Sequence, residues 1–303
     1  MTGLVLSELR RMWSRRLLRM MLLGAALLTV LIGIIVYFNS GRNQNDVEQQ
    51  MSVQHQQAMD SCLRGEFGGP TTRLEGEELE LVCNDIVGNF GNVDTRFHYR
   101  QMPEIWLGMS PLLAILALAV GASFVGADWQ KGTMTTALTW EPRRIRLLGA
   151  KFFTVAASAF VLTIVIEGFM AVAMLPAAAF HGTFLGTNGA WMADLAETAL
   201  RTGAIGALAA VVGCALATLG RNTAAALAVA FVYFAVVESL IRGLRPKWTP
   251  WLLSDNVAQF LSGSSPDPVI AARTTLEVVL VLVGYCALFI AAAMAFFKRR
   301  DIT

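Results

Sequence analysis

Six stretches of this chain stay apolar long enough to cross a lipid bilayer, and that one feature restricts the fold more than any other. A hydrocarbon core of roughly 30 Å is crossed by about 20 apolar helical residues. The runs 20–38, 105–125, 152–176, 195–219, 224–240 and 276–297 each reach or approach that length. With 55% hydrophobic and 15% charged residues, the 303-residue chain has too little polar surface to coat a water-soluble particle. The longest polar stretch, 39–103, is interrupted by few apolar residues and offers no core for a soluble catalytic domain. The expected fold class is therefore an all-α integral membrane protein with six transmembrane helices in a single domain, 1–303.

The first apolar run follows Arg10, Arg11, Arg15, Arg16 and Arg19 and could be mistaken for a secretory signal. It exceeds the roughly 7 to 15 residues of a signal core, and no small-x-small cleavage site follows it. It reads as a retained span. Basic residues collect on the cytoplasmic side of membrane proteins, so their distribution orients the spans. With the amino terminus inside, the inner face receives fourteen: those five arginines, Lys131, Arg143, Arg144, Arg146, Lys151, Arg221, Lys298, Arg299 and Arg300. The outer face receives nine, five of them spread through loop 39–104, and the cluster around Lys247 fits this orientation least well. Both termini are thus expected in the cytoplasm, at the cytoplasmic membrane. The overall balance, 24 Lys+Arg against 22 Asp+Glu, gives no sign of nucleic-acid binding.

Loop 39–104 carries eleven acidic residues against five basic ones and holds Cys62 and Cys83. An oxidising exterior would let these two form a disulfide; two free thiols sharing a loop is the alternative. Cys214 and Cys286 read as small core residues of their spans. The connection 128–151 is amphipathic, with a short surface helix over 129–140 ended by Glu141-Pro142, since a residue before proline avoids the α region. Such a helix can lie in the lipid interface, which suits Trp129 and Trp140, or dock a cytosolic protein. The amino-terminal 1–19, with Leu4, Leu6, Leu9, Met12 and Trp13 among arginines, is amphipathic in the same way. Segment 242–272 carries Trp248, Trp251, Leu252, Leu253 and Phe260, too apolar for a free loop, and is expected to re-enter the outer leaflet as broken half-helices.

Glu8-Leu-Arg-Arg-Met-Trp-Ser-Arg-Arg, the stretch Gly132-Thr-Met-Thr-Thr-Ala-Leu-Thr-Trp-Glu-Pro-Arg-Arg followed by Lys151, and the re-entrant segment before the last span resemble permease subunits of the type-2 ATP-binding-cassette (ABC) exporter superfamily. The resemblance covers essentially the whole chain, and its most specific part is the inner stretch. Asp128 stands where that family more often has glutamate, and the long first loop with its cysteines is a departure from the general pattern. The resemblance implies that 129–140 is a coupling helix and 1–19 a connecting helix. Trp129, Gly132, Thr133, Leu138, Thr139, Pro142, Arg143 and Arg144 would then meet a separate nucleotide-binding ATPase subunit. It also implies pairing with a second permease, the same or related, and ATP with magnesium bound by the partner. The chain itself has no G-x-x-x-x-G-K-[ST] phosphate loop and is expected to bind no cofactor and to be no enzyme.

A charge in mid-membrane costs several kcal/mol unless it is paired or solvated, which singles out Glu167 in the third run. It lines a polar path, or it is a protonated group that shapes the fold. Glu238 and Arg242 form an i, i+4 pair, and Asp194, Glu197 and Glu277 are expected in first helical turns. Gly203, Gly206, Ala210 and Gly213 permit close helix contact within one subunit or between two. No metal-ligand spacing and no nucleophile beside a base is legible, so an intramembrane enzyme is the weakest reading. The alternative to a permease is a membrane sensor or assembly factor using the acidic outer loop.

Overall fold

In the computed structural model, residues 2–40, 56–64, 79, 83, 96–263 and 273–299 are described. They are almost entirely helical. In chain order the elements are α1 (Thr2–Trp13), α2 (Arg16–Asn39), β1 (Phe97–His98), α3 (Met102–Gln130), α4 (Thr133–Trp140), α5 (Arg144–His181), β2 (Gly182–Thr183), α6 (Gly189–Gly220), α7 (Thr223–Leu244), α8 (Leu253–Ser262) and α9 (Thr275–Arg299). Six of them, α2, α3, α5, α6, α7 and α9, are long and apolar enough to cross a membrane. The chain is a multi-pass, all-α membrane protein. Leu23, Leu27, Val165, Phe231 and Leu280 project from these helices with no cover from the chain, as lipid-facing side chains do.

The helices outrun the apolar stretches that announced them. α5 has 38 residues, about 57 Å at 1.5 Å per residue. It continues past Pro176, at which the third span was expected to stop. A proline removes one backbone donor, and neighbouring groups can absorb that loss inside a membrane helix. Trp129 and Gln130, assigned from sequence to the surface helix 129–140, are instead the last residues of α3; α4 begins only at Thr133. The break is made by Gly132, whose φ of 67° lies in the left-handed region that glycine enters without strain. α6 likewise starts at Gly189, capped by the Asn188 side chain, which accepts from the Trp191 N–H at 2.9 Å. Asp194 and Glu197 are therefore not first-turn residues.

Two compact units divide the described residues. The first contains 1–28, 101–169 and 188–303. Its centre is α6, which lies along α3 in an extensive helix pair. Glycine makes that contact possible: a Cβ on Gly121 would stand 1.9 Å from the Ala210 carbonyl oxygen, and one on Gly213 would stand 2.1 Å from that of Leu118. Gly203 and Gly206 do the same against Phe160 and Thr163 of α5. All four small residues of the α6 stripe are thus used within the chain. Around them pack Phe124, Val125, Leu147, Leu148, Phe297 and the free, buried Cys214 and Cys286.

Residues 242–272 hold the 3₁₀ turn Pro246–Trp251 and α8 in their described part. Leu253, Val257, Phe260 and Leu261 of α8 pack on Ile205 of α6 and on Val278 and Leu282 of α9. α7 contains a π-helical turn, Tyr233–Val237, directly before Glu238. Glu238 is buried and accepts from the Ser254 backbone N–H at 3.1 Å and from the Ser254 hydroxyl, so it caps α8 from a different helix. Arg242 bonds Asp255 at 2.8 Å, which makes the pair Glu238–Arg242 part of a fastening for α8 rather than a helix-end ornament.

The second unit contains 29–100 and 170–187. Here β1 and β2 form a two-residue parallel bridge, the Ser40 hydroxyl donates to the His181 carbonyl at 2.8 Å, and the Tyr99 hydroxyl donates to that of Ala171 at 3.1 Å. Cys62, on a helical stretch over 56–63, is joined to Cys83 by a disulfide. The two thiols expected as one of two alternatives are a bridge.

Because the α3–α6 contact leaves no room for a side chain, Gly121→Leu and Gly213→Leu are expected to lower stability by more than the about 1–3 kcal/mol typical of overpacking. Gly284→Leu, where a Cβ meets nothing within 4 Å, is expected to be neutral. Thermal unfolding of the detergent-solubilised variants measures the difference.

Candidate functional site

The feature of the first unit that hydrophobic burial does not explain is a cluster of five charged side chains where α1, α3, α4 and α5 meet. α1 turns Leu4, Glu8 and Met12 toward the protein, one helical stripe at i, i+4 and i+8. Glu8 is therefore buried. α3 ends by burying Asp128, and α5 carries Lys151 two turns in, with no exposed surface at all. The Lys151 ammonium donates to Glu8 Oε2 and to Asp128 Oδ2, each at 2.8 Å.

The other oxygen of Asp128 takes the guanidinium groups. Asp128 Oδ1 accepts from Arg15 at 2.7 Å and lies 3.0 Å from Arg11. Arg11 also donates to the Thr133 hydroxyl at 2.8 Å, and that hydroxyl lies 3.3 Å from Asp128 Oδ1. Arg15 uses its second nitrogen on the Ser123 carbonyl at 2.9 Å. Arg15 and Lys151 each stand 4.9 Å from the centre of the Phe124 ring, which presents its π face to both cations. Burial pulls the Arg15 guanidinium below its ordinary value and Asp128 pushes it back up. Three cations thus surround two carboxylates, so each carboxylate is paired and one positive charge is left over.

The energetic consequence is one of position rather than of net stability. Removing charges from water costs several kcal/mol each, and attraction inside the protein returns about that amount when the geometry is good. Deleting one partner leaves the others unpaired and costs about 3–5 kcal/mol. Such a cluster therefore holds its members in one arrangement. Through Glu8, Arg11 and Arg15 it fixes α1 and the entry to α2; through Asp128, Thr133 and Lys151 it fixes the end of α3, the start of α4 and the foot of α5.

The residues expected at a docking surface fall into two groups. Gly132, Thr139, Pro142 and Arg143 are exposed, and Trp140 beside them is 87% exposed, the largest uncovered aromatic on α4. Thr133 and Leu138 are half-buried, and Met134 is the buried side chain that seats α4 on the core. Arg144 is half-buried and reaches the Phe297 carbonyl at 3.5 Å. Trp129 is spent on packing: the Arg221 guanidinium lies 4.8 Å over its ring and Phe297 sits edge-on at 6.0 Å. The surface that α4 and the turn after it offer is therefore Thr135, Thr136, Thr139, Trp140, Pro142 and Arg143.

Glu167 lies elsewhere, on the face of α5 that meets α6, and is fully buried. Cys62 and Cys83 belong to the second unit. Among the described residues, no group of three or more His, Cys, Asp or Glu converges as metal ligands do. Sequence reasoning noticed Asp128 and Lys151 as motif positions and Glu8 as a polar residue of α1, but missed that the three are bonded. A lysine opening one apolar span 23 positions after an aspartate closing another was the available signal.

Residues 92–303 match the family described as Protein of unknown function (DUF2705). The chain belongs to that family. No curated protein matches it. In this DUF2705 chain the matched part supplies Asp128, Thr133 and Lys151 of the cluster, while Glu8, Arg11 and Arg15 precede it.

Lys151→Met is expected to lower stability by about 3–5 kcal/mol, because Glu8 and part of Asp128 lose their cation. The double variant Glu8→Leu/Lys151→Met removes one charge of each sign and should recover much of that loss. Buried Cys214 and Cys286 allow a thiol-reactive dye to report the unfolding temperature of both.

Proposed function

We propose that this DUF2705 chain is the membrane-spanning permease subunit of an ATP-driven ABC exporter. It moves its substrate across the cytoplasmic membrane by alternating access, powered by a separate ATPase subunit that binds ATP and magnesium. In this reading both termini, α1 and α4 are cytoplasmic, in keeping with the fourteen basic residues assigned to that face. The segment Pro246–Ser262 re-enters the outer leaflet, held by Glu238. The permease works as a pair, with itself or with a related subunit, in contact with membrane lipid.

The observation that carries the reading is the buried cluster of Glu8, Arg11, Arg15, Asp128 and Lys151. An energy-coupled permease needs a surface outside the membrane that can be pushed and a stiff connection from it to several spans. α4 provides a surface with an uncovered tryptophan at its end, and it is tied through Thr133 to a polar knot that also grips α1, α2, α3 and α5. Displacement of α4 or α1 is then delivered to three spans together, because the knot has no member that can move alone without losing its partner.

The first experiment is a pull-down of the detergent-solubilised protein from its native membrane. A stoichiometric nucleotide-binding subunit with ATPase activity is expected; its reproducible absence would overturn the permease reading and move attention to the disulfide-bearing loop. Arg143→Glu/Trp140→Ala is expected to reduce co-purification of that subunit at least tenfold while membrane insertion is unchanged. Undiminished co-purification would show that α4 lies on lipid instead. Arg144 is left in place because it also holds the Phe297 carbonyl.

A further inference from the structure

Four acidic side chains are almost fully buried among the described residues: Glu8, Asp128, Glu167 and Glu238. Three of them are provided for. Glu8 and Asp128 share Lys151, and Glu238 takes the Ser254 backbone and hydroxyl groups with Arg242 at 4.0 Å. Glu167 is the exception. It has 0% exposure, and neither carboxylate oxygen has a hydrogen-bond partner among the described residues. Thr202 faces it from α6, but the Thr202 hydroxyl donates to the Thr198 and Ala199 carbonyls at 2.9 and 3.1 Å. The charged pair on the same helix, Glu197 and Arg201, is bonded to itself, and Arg201 reaches on to the Leu261 carbonyl at 3.5 Å. Among the described residues, no charged side chain acts on Glu167.

An ionised carboxylate cannot persist there. Without donors or a counter-charge, a buried ion costs many kcal/mol, and such a group takes up a proton instead. No opening remains for a hydrated cation at 0% exposure, so the one ligand that fits the closed site is the proton itself. The site is also placed where motion would change it. α6 comes against α5 through Gly203 and Gly206, whose notional Cβ atoms would stand 3.1 Å from the Phe160 ring and 2.5 Å from Thr163 Oγ1. The helices meet backbone to side chain beside Glu167, and any separation admits water to it. Thr154 and Ser158 of α5 are likewise buried hydroxyls without a partner among the described residues, so polar groups left unsatisfied in the closed packing gather on this helix.

We propose that Glu167 is a proton-binding site: it holds one proton while α5 and α6 are closed and gives it to entering water when they part. The step is a simple dissociation, in which the carboxyl O–H bond breaks, water takes the proton, and the carboxylate left behind is stabilised by hydration. On closure it must recover a proton before the site can dry. If the chain is a permease, each opening of α5 from α6 then releases one proton and each closure takes one up, so export depends on pH. Only that last link rests on the permease reading; proton binding by Glu167 does not.

The test uses the full chain in lipid nanodiscs with glutamate side-chain carboxyls labelled with ¹³C, followed by infrared spectroscopy. A labelled C=O band of a protonated carboxyl is expected to persist at neutral pH, to exchange slowly in D₂O, and to vanish in Glu167→Gln. Glu167→Asp removes the label but keeps a carboxyl, so it assigns the band even if the glutamine variant fails to fold. Gly206→Leu, which wedges the helices apart, is expected to speed the exchange at least tenfold. Absence of the band from the wild-type protein at neutral pH, or its survival in both Glu167 variants, overturns the proposal. A band that behaves as expected in a protein that recruits no ATPase leaves proton binding intact and refutes the permease reading alone.

Discussion

Lys151 is the side chain on which the first unit depends. Its ammonium is fully enclosed and bonded to two carboxylates, Glu8 from the amino-terminal helix and Asp128 from the end of α3. An ammonium ion without those partners could not remain in such a place, and the carboxylates could not remain there without it. The arrangement does not need to add net stability to matter. A hydrophobic plug of equal volume would tolerate sliding, whereas bonds of 2.7 to 3.0 Å between charged groups do not.

Close packing does the complementary work further along the same helices. α6 meets α3 at Gly121, Ala210 and Gly213, and it meets α5 at Gly203 and Gly206. Helices immersed in lipid gain little from burying apolar side chains against each other, so they associate where backbones can approach closely. The polar cluster sets where α3 and α5 stand at one end, and the glycines set how near α6 comes between them. α7 and α9 lie outside this centre and keep much of their surface uncovered. Glu238 extends the same logic to α8, since a buried carboxylate on one helix caps the start of another and its burial is offset by the bonds it accepts.

Glu167 stands apart from both devices. The cluster around Lys151 pairs both its carboxylates with cations, and the Glu238 site supplies donors, but the α5–α6 interface offers Glu167 no counter-charge and only the Thr202 hydroxyl, which donates to its own helix. A protein that satisfies three buried carboxyls and leaves the fourth bare has placed in its membrane interior a group whose charge state follows the packing of two helices. Position on a helix pair closed by two glycines makes that packing sensitive to small displacements.

What the sequence determined by itself was local. Six apolar runs mean six membrane helices because the bilayer sets a length that can be counted along the chain. The helix ends were not legible in the same way. Backbone hydrogen bonding does not stop where lipid does, so α5 continues through Pro176, and α3 runs on to Gln130 until Gly132 provides the left-handed turn. Cys62 and Cys83 were visible as a possible pair because few cysteines share that loop, whereas only the fold joined them. Tertiary structure alone decided the charge cluster: Glu8 and Lys151 are 143 positions apart, and although a lysine opening an apolar span hints at a buried charge, nothing local says which carboxylates meet it. It likewise decided that Trp129 packs inward while Trp140 is left uncovered, since an amphipathic stretch shows which residues could be buried, and only the partner helices determine which are.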